Sequence, residues 1–127
     1  MKKQILCVED NAVNMLLISR IIEAEGYDLI KAEDGNVALE LLENTVPDLI
    51  LLDINLPGIN GLELARRFKA NDKIAHVPLI ATTAQVLSGD RERCLEAGCD
   101  DYIPKPLDIR KLREMMRAHI KESEQRS

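Results

Sequence analysis

The stretch Leu49-Ile50-Leu51-Leu52-Asp53 carries the strongest structural signal in the chain, because four consecutive apolar residues run directly into an aspartate. A run this apolar is typical of a strand buried on both faces of a sheet. Pro57 and Gly58 then stop the strand and turn the chain. Asp53 is therefore expected at the carboxyl end of a central strand, where open α/β sheets place their chemistry. The alternative is an aspartate that only begins a turn.

Length and composition indicate one domain with one core. The chain has 127 residues, of which 46% are hydrophobic and only 2% aromatic, so Leu, Ile, Val and Ala must fill the core. The net charge of -5 disfavours nucleic acid as a partner, because it leaves no basic patch to neutralise phosphates. No apolar run approaches the roughly 20 residues that span a bilayer. We therefore expect no membrane segment.

The three cysteines, Cys7, Cys94 and Cys99, are an odd number in a chain whose first residues do not resemble an export signal. They predict reduced thiols and a cytoplasmic location. Cys94 and Cys99 lack zinc-type spacing with any histidine, so buried or half-buried structural thiols are expected.

Strand-like and helix-like segments alternate five times along the chain. Apolar runs at 5–8, 49–52 and 79–82, and mixed segments at 27–32 and 101–103, predict strands. Apolar residues at helical spacing predict helices near 13–24, 37–42, 61–68, 86–97 and 109–120. Asn11 and Asn60 are suited to cap the first and third helices. In the first helix the spaced apolar residues are Val13, Leu16, Leu17, Ile21 and Ala24.

This alternation with short links predicts an α/β fold in three layers, a single five-stranded parallel sheet with helices on both faces. The first, third and fourth strands are the most apolar and should be central, whereas the mixed second and fifth should be edges. The strand order 2-1-3-4-5 with right-handed crossovers satisfies this, giving a (βα)5 domain. We expect the domain over residues 1–121, followed by a polar tail at 122–127 that frays.

Polar side chains converge where these strands end, because the carboxyl ends of parallel strands share one edge of the sheet. In the proposed order the first and third strands are neighbours, so three carboxylates should crowd into one shallow pocket with a hydroxyl and an ammonium beside them. The residues at this edge are Glu9 and Asp10 from the first strand, Asp53 and Asn55 from the third, Thr83 from the fourth and Lys105 from the fifth.

Three carboxylates at close range repel one another, which raises a pKa or recruits a cation. Oxygen ligands favour a hard ion, Mg²⁺ or Mn²⁺, with several waters retained. A metal and a lysine together neutralise phosphoryl oxygens, and a hydroxyl can donate a hydrogen bond to them. This chemistry favours Asp53 as a nucleophile that forms an aspartyl phosphate.

Each of these residues also has a purely structural interpretation. Glu9 and Asp10 could begin a helix favourably against its dipole. Lys105 could be a solvated loop lysine between two prolines, and Thr83 a helix cap. Their joint placement at equivalent strand ends favours the functional interpretation.

These residues together resemble the response-regulator receiver domains of bacterial two-component signalling, and the resemblance covers nearly the whole chain. The fold it implies is flavodoxin-like. The sequence is most similar to the stand-alone receivers, including the polar-differentiation regulators, which have Glu-Asp-Asn near the start. The motifs that carry the resemblance are Glu9-Asp10, Asp53 with Pro57-Gly58 and Gly61, Thr83-Ala84, and Tyr102-Ile103-Pro104-Lys105-Pro106.

The resemblance implies a phosphoacceptor and a Mg²⁺ site. Asp53 would be the phosphoacceptor, and Asp10 and Asp53 would ligate the metal directly. Glu9 would help through water, and Asn55 would contribute its backbone carbonyl. Glu9 departs from families that have two aspartates at this point, which affects the outer ligands of the metal and not the mechanism.

The resemblance also implies the residues of a switch. Lys105 would pair with the phosphoryl group, and the peptide bond between Lys105 and Pro106 would be cis. The Thr83 hydroxyl and Ala84 would contact the phosphoryl oxygens, and Tyr102 would turn inward on activation. A tyrosine on an edge strand is otherwise often only half-buried packing.

The function implied is that of a phosphoacceptor response regulator, not an enzyme, apart from slow autodephosphorylation. It would take phosphate from a histidine kinase or a histidine phosphotransfer protein, and its α4-β5-α5 face would present the state to a downstream protein. The rival is a Mg²⁺-dependent phosphohydrolase of small molecules, which would need a second acid/base near Asp53 and a substrate cap. A flavin-binding domain would need a phosphate loop where the chain has Glu9-Asp10-Asn11.

Overall fold

The computed structural model describes residues 2–56, 58–83 and 89–126. Strands and helices alternate along the chain in the predicted order. The strands are β1 (Gln4–Val8), β2 (Asp28–Ala32), β3 (Leu49–Asp53), β4 (Leu79–Thr83) and β5 (Asp101–Pro104). The helices are α1 (Ala12–Ala24), α2 (Gly35–Leu42), α3 (Gly61–Ala70), α4 (Asp90–Glu96) and α5 (Ile109–Arg126).

All five strands pair in parallel in the order β2-β1-β3-β4-β5, which confirms the predicted α/β topology with β3 at its centre. Every residue of β3 and β4 is buried, whereas β2 and β5 are mixed. The strand ends are aligned, because Val8 pairs with Leu52 and Asp53 pairs with Thr82. This alignment delivers the residues that follow each strand to one edge.

The core has two parts, one on each face of the sheet. Alternate residues of β3 point to opposite faces, with Ile50 and Leu52 in one part and Leu49 and Leu51 in the other. The first part packs under α2, α3 and α4, and the second under α1 and α5. Within the described ranges, no helix combines the length and apolar character needed to cross a membrane.

The apolar pattern of α1 was misleading at three positions. Val13 and Leu16 are 75% and 54% exposed, and Ala24 is exposed as well. The buried face instead consists of Met15, Ile18, Ser19, Ile21 and Ile22. Ser19 is accommodated there because its hydroxyl donates to the Leu16 carbonyl oxygen at 2.7 Å.

The starts of three helices have side-chain caps, two of them predicted. Asn11, Asp34 and Asn60 cap α1, α2 and α3, each accepting a backbone N–H through its side chain. The start of α4 differs: it begins at Asp90, after Gly89 with φ of 94°, and residues 86–88 of the predicted helix lie outside the described residues. At the other end, α5 continues to Arg126, through residues expected to fray.

Lys69 joins α3 to the turn before β5. Its ammonium donates to the carbonyl oxygens of Ala75 and Val77, at 3.2 and 3.0 Å, and to Asp100 Oδ2 at 2.9 Å. The same Asp100 oxygen accepts the N–H of Leu79 at 2.8 Å. One lysine therefore fixes the start of β4, at the edge of the sheet opposite the polar strand ends.

Glu25, which follows α1, forms ion pairs with two arginines of α5. Its side chain is 6% exposed, and its carboxylate accepts hydrogen bonds from Arg113 Nε and from Arg117 Nε and Nη2, the last two at 2.8 and 2.7 Å. The pKa of Glu25 is lowered, chiefly by the hydrogen bond from Arg117, with Arg113 adding to it and burial opposing it.

Replacing Glu25 with glutamine is expected to cost about 1 kcal/mol at neutral pH, the upper range for a partly exposed ion pair. Because the pKa of Glu25 is lowered in the folded state, its carboxylate stabilises the fold at pH values above its ordinary pKa of 4.5. That contribution is lost as the pH falls through the lowered folded value. Urea unfolding should therefore show the Glu25→Gln deficit at neutral pH and its disappearance in acid. Substitution of the exposed Glu23 with glutamine is the control. If the loss of unfolding free energy in Glu25→Gln persisted unchanged in acid, it would not come from the ion pairs of Glu25.

Candidate functional site

Three carboxylates meet where β1 and β3 end. One oxygen from each of Glu9, Asp10 and Asp53 lies within 4.8 Å of the other two. Glu9 and Asp53 are 2% and 3% exposed, whereas Asp10 is exposed. The cluster therefore has two buried carboxyl groups and one open to solvent.

Backbone hydrogen bonds fix Glu9 in place. Its N–H donates to the Ala32 carbonyl oxygen at 3.0 Å, which extends the β1–β2 pairing by one residue. Its Oε2 accepts the N–H of Asn11 at 3.2 Å, and Asn11 in turn caps α1 by accepting from Asn14. The Glu9 carboxylate thus lies at the amino end of α1, where the helix dipole favours negative charge.

The loop after β3 fixes Asp53. Its Oδ1 accepts the N–H of Asn55 at 2.8 Å, an Asx-type turn. The N–H of Ile54 donates to the Thr82 carbonyl oxygen at 3.0 Å. Gly61, the first residue of α3, packs so closely on this loop that a Cβ there would lie 2.2 Å from Ile54 Cα. Only glycine fits at this contact, so Gly61 holds the loop in its observed place.

Lys105 bridges two of the carboxylates. Its Nζ donates to Glu9 Oε1 at 2.8 Å and to Asp53 Oδ2 at 3.0 Å, and its side chain is 14% exposed. Its N–H donates to the Thr83 carbonyl oxygen at 2.7 Å, and the peptide bond from Lys105 to Pro106 is cis. Lys105 is therefore a partner of the acidic cluster and not a solvated loop lysine.

Burial and neighbouring charges shift the pKa values of Glu9 and Lys105. Burial is the main cause that raises the pKa of Glu9; Asp53 raises it further and the hydrogen bond from Lys105 opposes it. Burial alone would lower the pKa of Lys105, but its hydrogen bonds to Glu9 and Asp53 and their charges raise it. One ammonium can balance only one of three carboxyl groups, so the cluster keeps an affinity for further positive charge.

Thr83 lies beside this cluster at the end of β4. It is fully buried, and its Oγ1 donates to Asn55 Oδ1 at 3.1 Å. Because β3 and β4 are neighbours, this hydrogen bond connects the loop that follows Asp53 to the next strand. Ala84, and Pro57 of the turn after β3, lie outside the described residues.

Tyr102 is half-buried on β5 and packs against the core on the α4 side of the sheet. It pairs with Ala81 of β4, and it lies within the sheet three residues before Lys105. The structure thus places Tyr102 away from the strand ends. The residues that it brings to one edge are Glu9, Asp10, Asp53, Asn55, Thr83 and Lys105.

Sequence reasoning missed the side-chain role of Asn55, for which only the backbone carbonyl was considered. The signal was present in the predicted strand order, which already made β3 and β4 neighbours. It also missed that Lys105 contacts Glu9 as well as Asp53. The two contacts follow from β1 and β3 ending side by side, with the long lysine side chain reaching across both.

The donor set suits a hard divalent cation. Three carboxylates within 4.8 Å supply only oxygen ligands, and the exposed Asp10 leaves a path for a hydrated ion. An acidic pocket with one lysine and one buried hydroxyl also suits a phosphoryl group, whose oxygens need positive charge and a hydrogen-bond donor.

The chain matches the family model described as the response regulator receiver domain over residues 5–117. The protein is a response-regulator receiver domain. It is 42% identical over 120 residues to the polar-differentiation response regulator DivK of Brucella anthropi, covering 94% of this chain and 98% of that one.

Solved receiver domains share the fold. A CheY-like receiver domain protein from Methanospirillum hungatei JF-1 matches with a TM-score of 0.92 at 30% identity, covering 100% of both chains. The receiver domain of a sensor histidine kinase from Pseudomonas aeruginosa PAO1 matches with a TM-score of 0.87 at 37% identity, covering 95% of this chain and 99% of that one. That structure has a magnesium ion coordinated in its active site cleft.

As a receiver domain, the protein is a phosphoacceptor component of two-component signalling. The predicted family, fold and function class are confirmed. A hydrolase of small phosphomonoesters, the rival considered from the sequence, is not favoured, since the relatives are signalling regulators.

Proposed function

We propose that Asp53 is the residue that accepts the phosphoryl group. The observation that carries this proposal is its place on the central strand β3, between the acidic pair that follows β1 and Thr83 on β4. Of the three clustered carboxylates, Asp53 is the one with oxygen ligands for a metal on one side and a hydroxyl on the other. Glu9 also contacts Lys105, but on the side away from Asp53 its neighbour is the edge strand β2.

We propose that Glu9, Asp10, Asp53 and the backbone carbonyl of Asn55 hold Mg²⁺, with Mn²⁺ as a substitute. When bound, the ion supplies positive charge to the phosphoryl oxygens. The oxygen-only donor set and the magnesium in the related receiver domain from Pseudomonas aeruginosa support this assignment. The buried Glu9 is tied to Asn11 N–H and Lys105, which suits a role through water more than direct ligation.

In the proposed reaction an Asp53 oxygen attacks the phosphorus atom of a phosphohistidine. The new P–O bond forms as the P–N bond breaks, and the electron pair of the P–N bond leaves with the imidazole. Lys105, already 3.0 Å from Asp53 Oδ2, balances charge on the transferred group. Thr83 then donates a hydrogen bond from its hydroxyl to a phosphoryl oxygen. Slow hydrolysis of the acyl phosphate returns Asp53 to its resting form.

The proposed output is a change in the face formed by α4, β5 and α5. Phosphorylation replaces the single charge of the Asp53 carboxylate with a phosphoryl group of about -1.5 to -2 charges, and it biases this face only if one of its states contacts the new group better. Thr83 and Ala84 would supply that contact, with Tyr102 turning inward beside them. The partners would be a histidine kinase or phosphotransfer protein and a downstream target protein.

We further propose that residues 1–121 are the receiver domain and 122–127 its polar tail, supported by the family match, which ends at residue 117. A cytoplasmic location is supported by the three cysteines, which are buried thiols and not disulfides, since thiols stay reduced there.

Phosphate incorporation from acetyl phosphate tests this function. Intact-mass measurement should show one added phosphoryl group per chain with Mg²⁺ and none with EDTA. Asp10→Asn removes the exposed carboxylate of the cluster and keeps Asp53, so it should need about tenfold more Mg²⁺ for the same yield. Asp72→Asn, exposed in the turn after α3, is the control. Equal incorporation with and without Mg²⁺ would contradict the metal assignment.

A further inference from the structure

The side chain of Asn55 connects the loop after the phosphoacceptor strand to the hydroxyl at the end of β4. Thr83 Oγ1 donates to Asn55 Oδ1 at 3.1 Å. Asn55 is itself anchored, because its N–H donates to Asp53 Oδ1 at 2.8 Å. The resting molecule therefore has an amide oxygen, fixed relative to Asp53, as an acceptor for the Thr83 hydroxyl.

A hydroxyl carries one proton and can donate one hydrogen bond at a time. Thr83 cannot donate to Asn55 and to a phosphoryl oxygen together, so any such contact between the Thr83 hydroxyl and the phosphoryl group requires the bond to Asn55 to break. Thr83 is fully buried, and water does not replace the amide oxygen at low cost in such a place. The bond to Asn55 thus opposes the phosphorylated state.

We propose that Asn55 is a positioning residue that holds the Thr83 hydroxyl in its resting orientation through Oδ1. This inference rests on the function proposed above, in which Asp53 carries the phosphoryl group and Thr83 donates to it. In this role the side chain of Asn55 acts on the phosphorylated state through Thr83, separately from the proposed metal contact of its backbone carbonyl. The hydrogen bond between Asn55 and Thr83 stabilises the resting state, and the contacts made in the phosphorylated state must offset that stabilisation.

The consequence can be measured as affinity for beryllofluoride, which stands in for the phosphoryl group on the Asp53 carboxylate. Titration at saturating Mg²⁺, followed by amide NMR signals, gives its dissociation constant. Asn55→Ala keeps the backbone carbonyl and N–H and removes only the amide. It should bind beryllofluoride about fivefold more tightly than wild type, the factor that one neutral hydrogen bond provides.

A double-mutant cycle separates this role from general loosening of the loop. In a Thr83→Val background, where there is no hydroxyl to hold, Asn55→Ala should leave the dissociation constant unchanged. In a Thr83→Ser background, which keeps the hydroxyl, the tightening should return. Thr82→Val removes the hydroxyl of the neighbouring buried threonine, which points to the other face of the sheet. It is the matched control, and there the tightening should equal that in wild type.

Two results would overturn the inference while leaving the proposed function standing. One is that wild type binds beryllofluoride but Asn55→Ala shows no tightening, or binds more weakly. The other is that Asn55→Ala tightens binding equally with and without the Thr83→Val substitution. If wild type itself bound no beryllofluoride at saturating Mg²⁺, the proposed function would fail and the role of Asn55 with it.

Discussion

Asp53→Ala will lose phosphate incorporation by about 10³-fold or more, because it removes the proposed nucleophile and neither Glu9 nor Asp10 is placed to replace it. Glu9 Oε1 is engaged by Lys105 and Oε2 by the N–H of Asn11. Asp10 is exposed at the rim and follows β1, which lies on the other side of β3 from Thr83. The measurement is the mass of the intact protein after reaction with acetyl phosphate and Mg²⁺.

The fold should survive this substitution, because Lys105 keeps its 2.8 Å hydrogen bond to Glu9. A melting curve similar to that of wild type, with no phosphate added, therefore isolates the chemistry from stability. Asp72→Ala, at an exposed turn, is the control for loss of an aspartate. If Asp53→Ala still gained a phosphoryl group at the wild-type rate, another residue would be the acceptor.

Lys105→Met will destabilise the metal-free protein by about 3 kcal/mol, the lower range for breaking a buried ion pair. The Glu9 and Asp53 side chains are 1% and 3% exposed. Without the ammonium they lose this counter-charge, whereas methionine keeps most of the apolar stem. Urea unfolding in EDTA measures the loss, and Lys73→Met, at an exposed site, is the control.

Mg²⁺ should recover part of this loss, since a cation in the cluster supplies the positive charge that Lys105 provided. The recovery should be larger in Lys105→Met than the stabilisation of wild type by the same Mg²⁺ concentration. A Lys105→Met protein as stable as wild type in EDTA would show that the two hydrogen bonds from Lys105 contribute nothing to the resting fold.

The fold and the set of polar residues that gather at one edge of the sheet were predictable from the sequence for one physical reason. Strands buried on both faces leave unbroken apolar runs, and parallel pairing then brings the residues after those runs to one edge. The run at 49–52 located Asp53 on the central strand, and the similar run at 5–8 located Glu9. Local capping chemistry located Asn11 and Asn60, because a cap depends only on residues within one turn.

Contacts between elements were not predictable in the same way. The buried face of α1 is rotated from the expected one, so that Val13 and Leu16 are exposed, because periodicity alone does not fix which apolar residues meet the sheet. The contact of Glu25 with Arg113 and Arg117 joins residues 88 and 92 positions apart. Such side-chain pairs depend on how α1 and α5 pack, which no local pattern contains.

The bond between Asn55 and Thr83 belongs to the same class. The strand order made the two residues neighbours, but the choice of acceptor depends on the turn that fixes Asn55 relative to Asp53. The sequence therefore predicted which residues gather at this edge and not which of them are bonded in the resting state.

Chemical trapping of the phosphorylated residue tests the central claim most directly. The protein is phosphorylated with acetyl phosphate and Mg²⁺, and borohydride then reduces the acyl phosphate to an alcohol, which converts the labelled aspartate to homoserine. Peptide mapping by mass spectrometry locates the converted residue. Conversion is expected at Asp53 alone. Conversion at Glu9 or Asp10, or a phosphate that resists borohydride on a hydroxyl or histidine side chain, would contradict Asp53 as the acceptor.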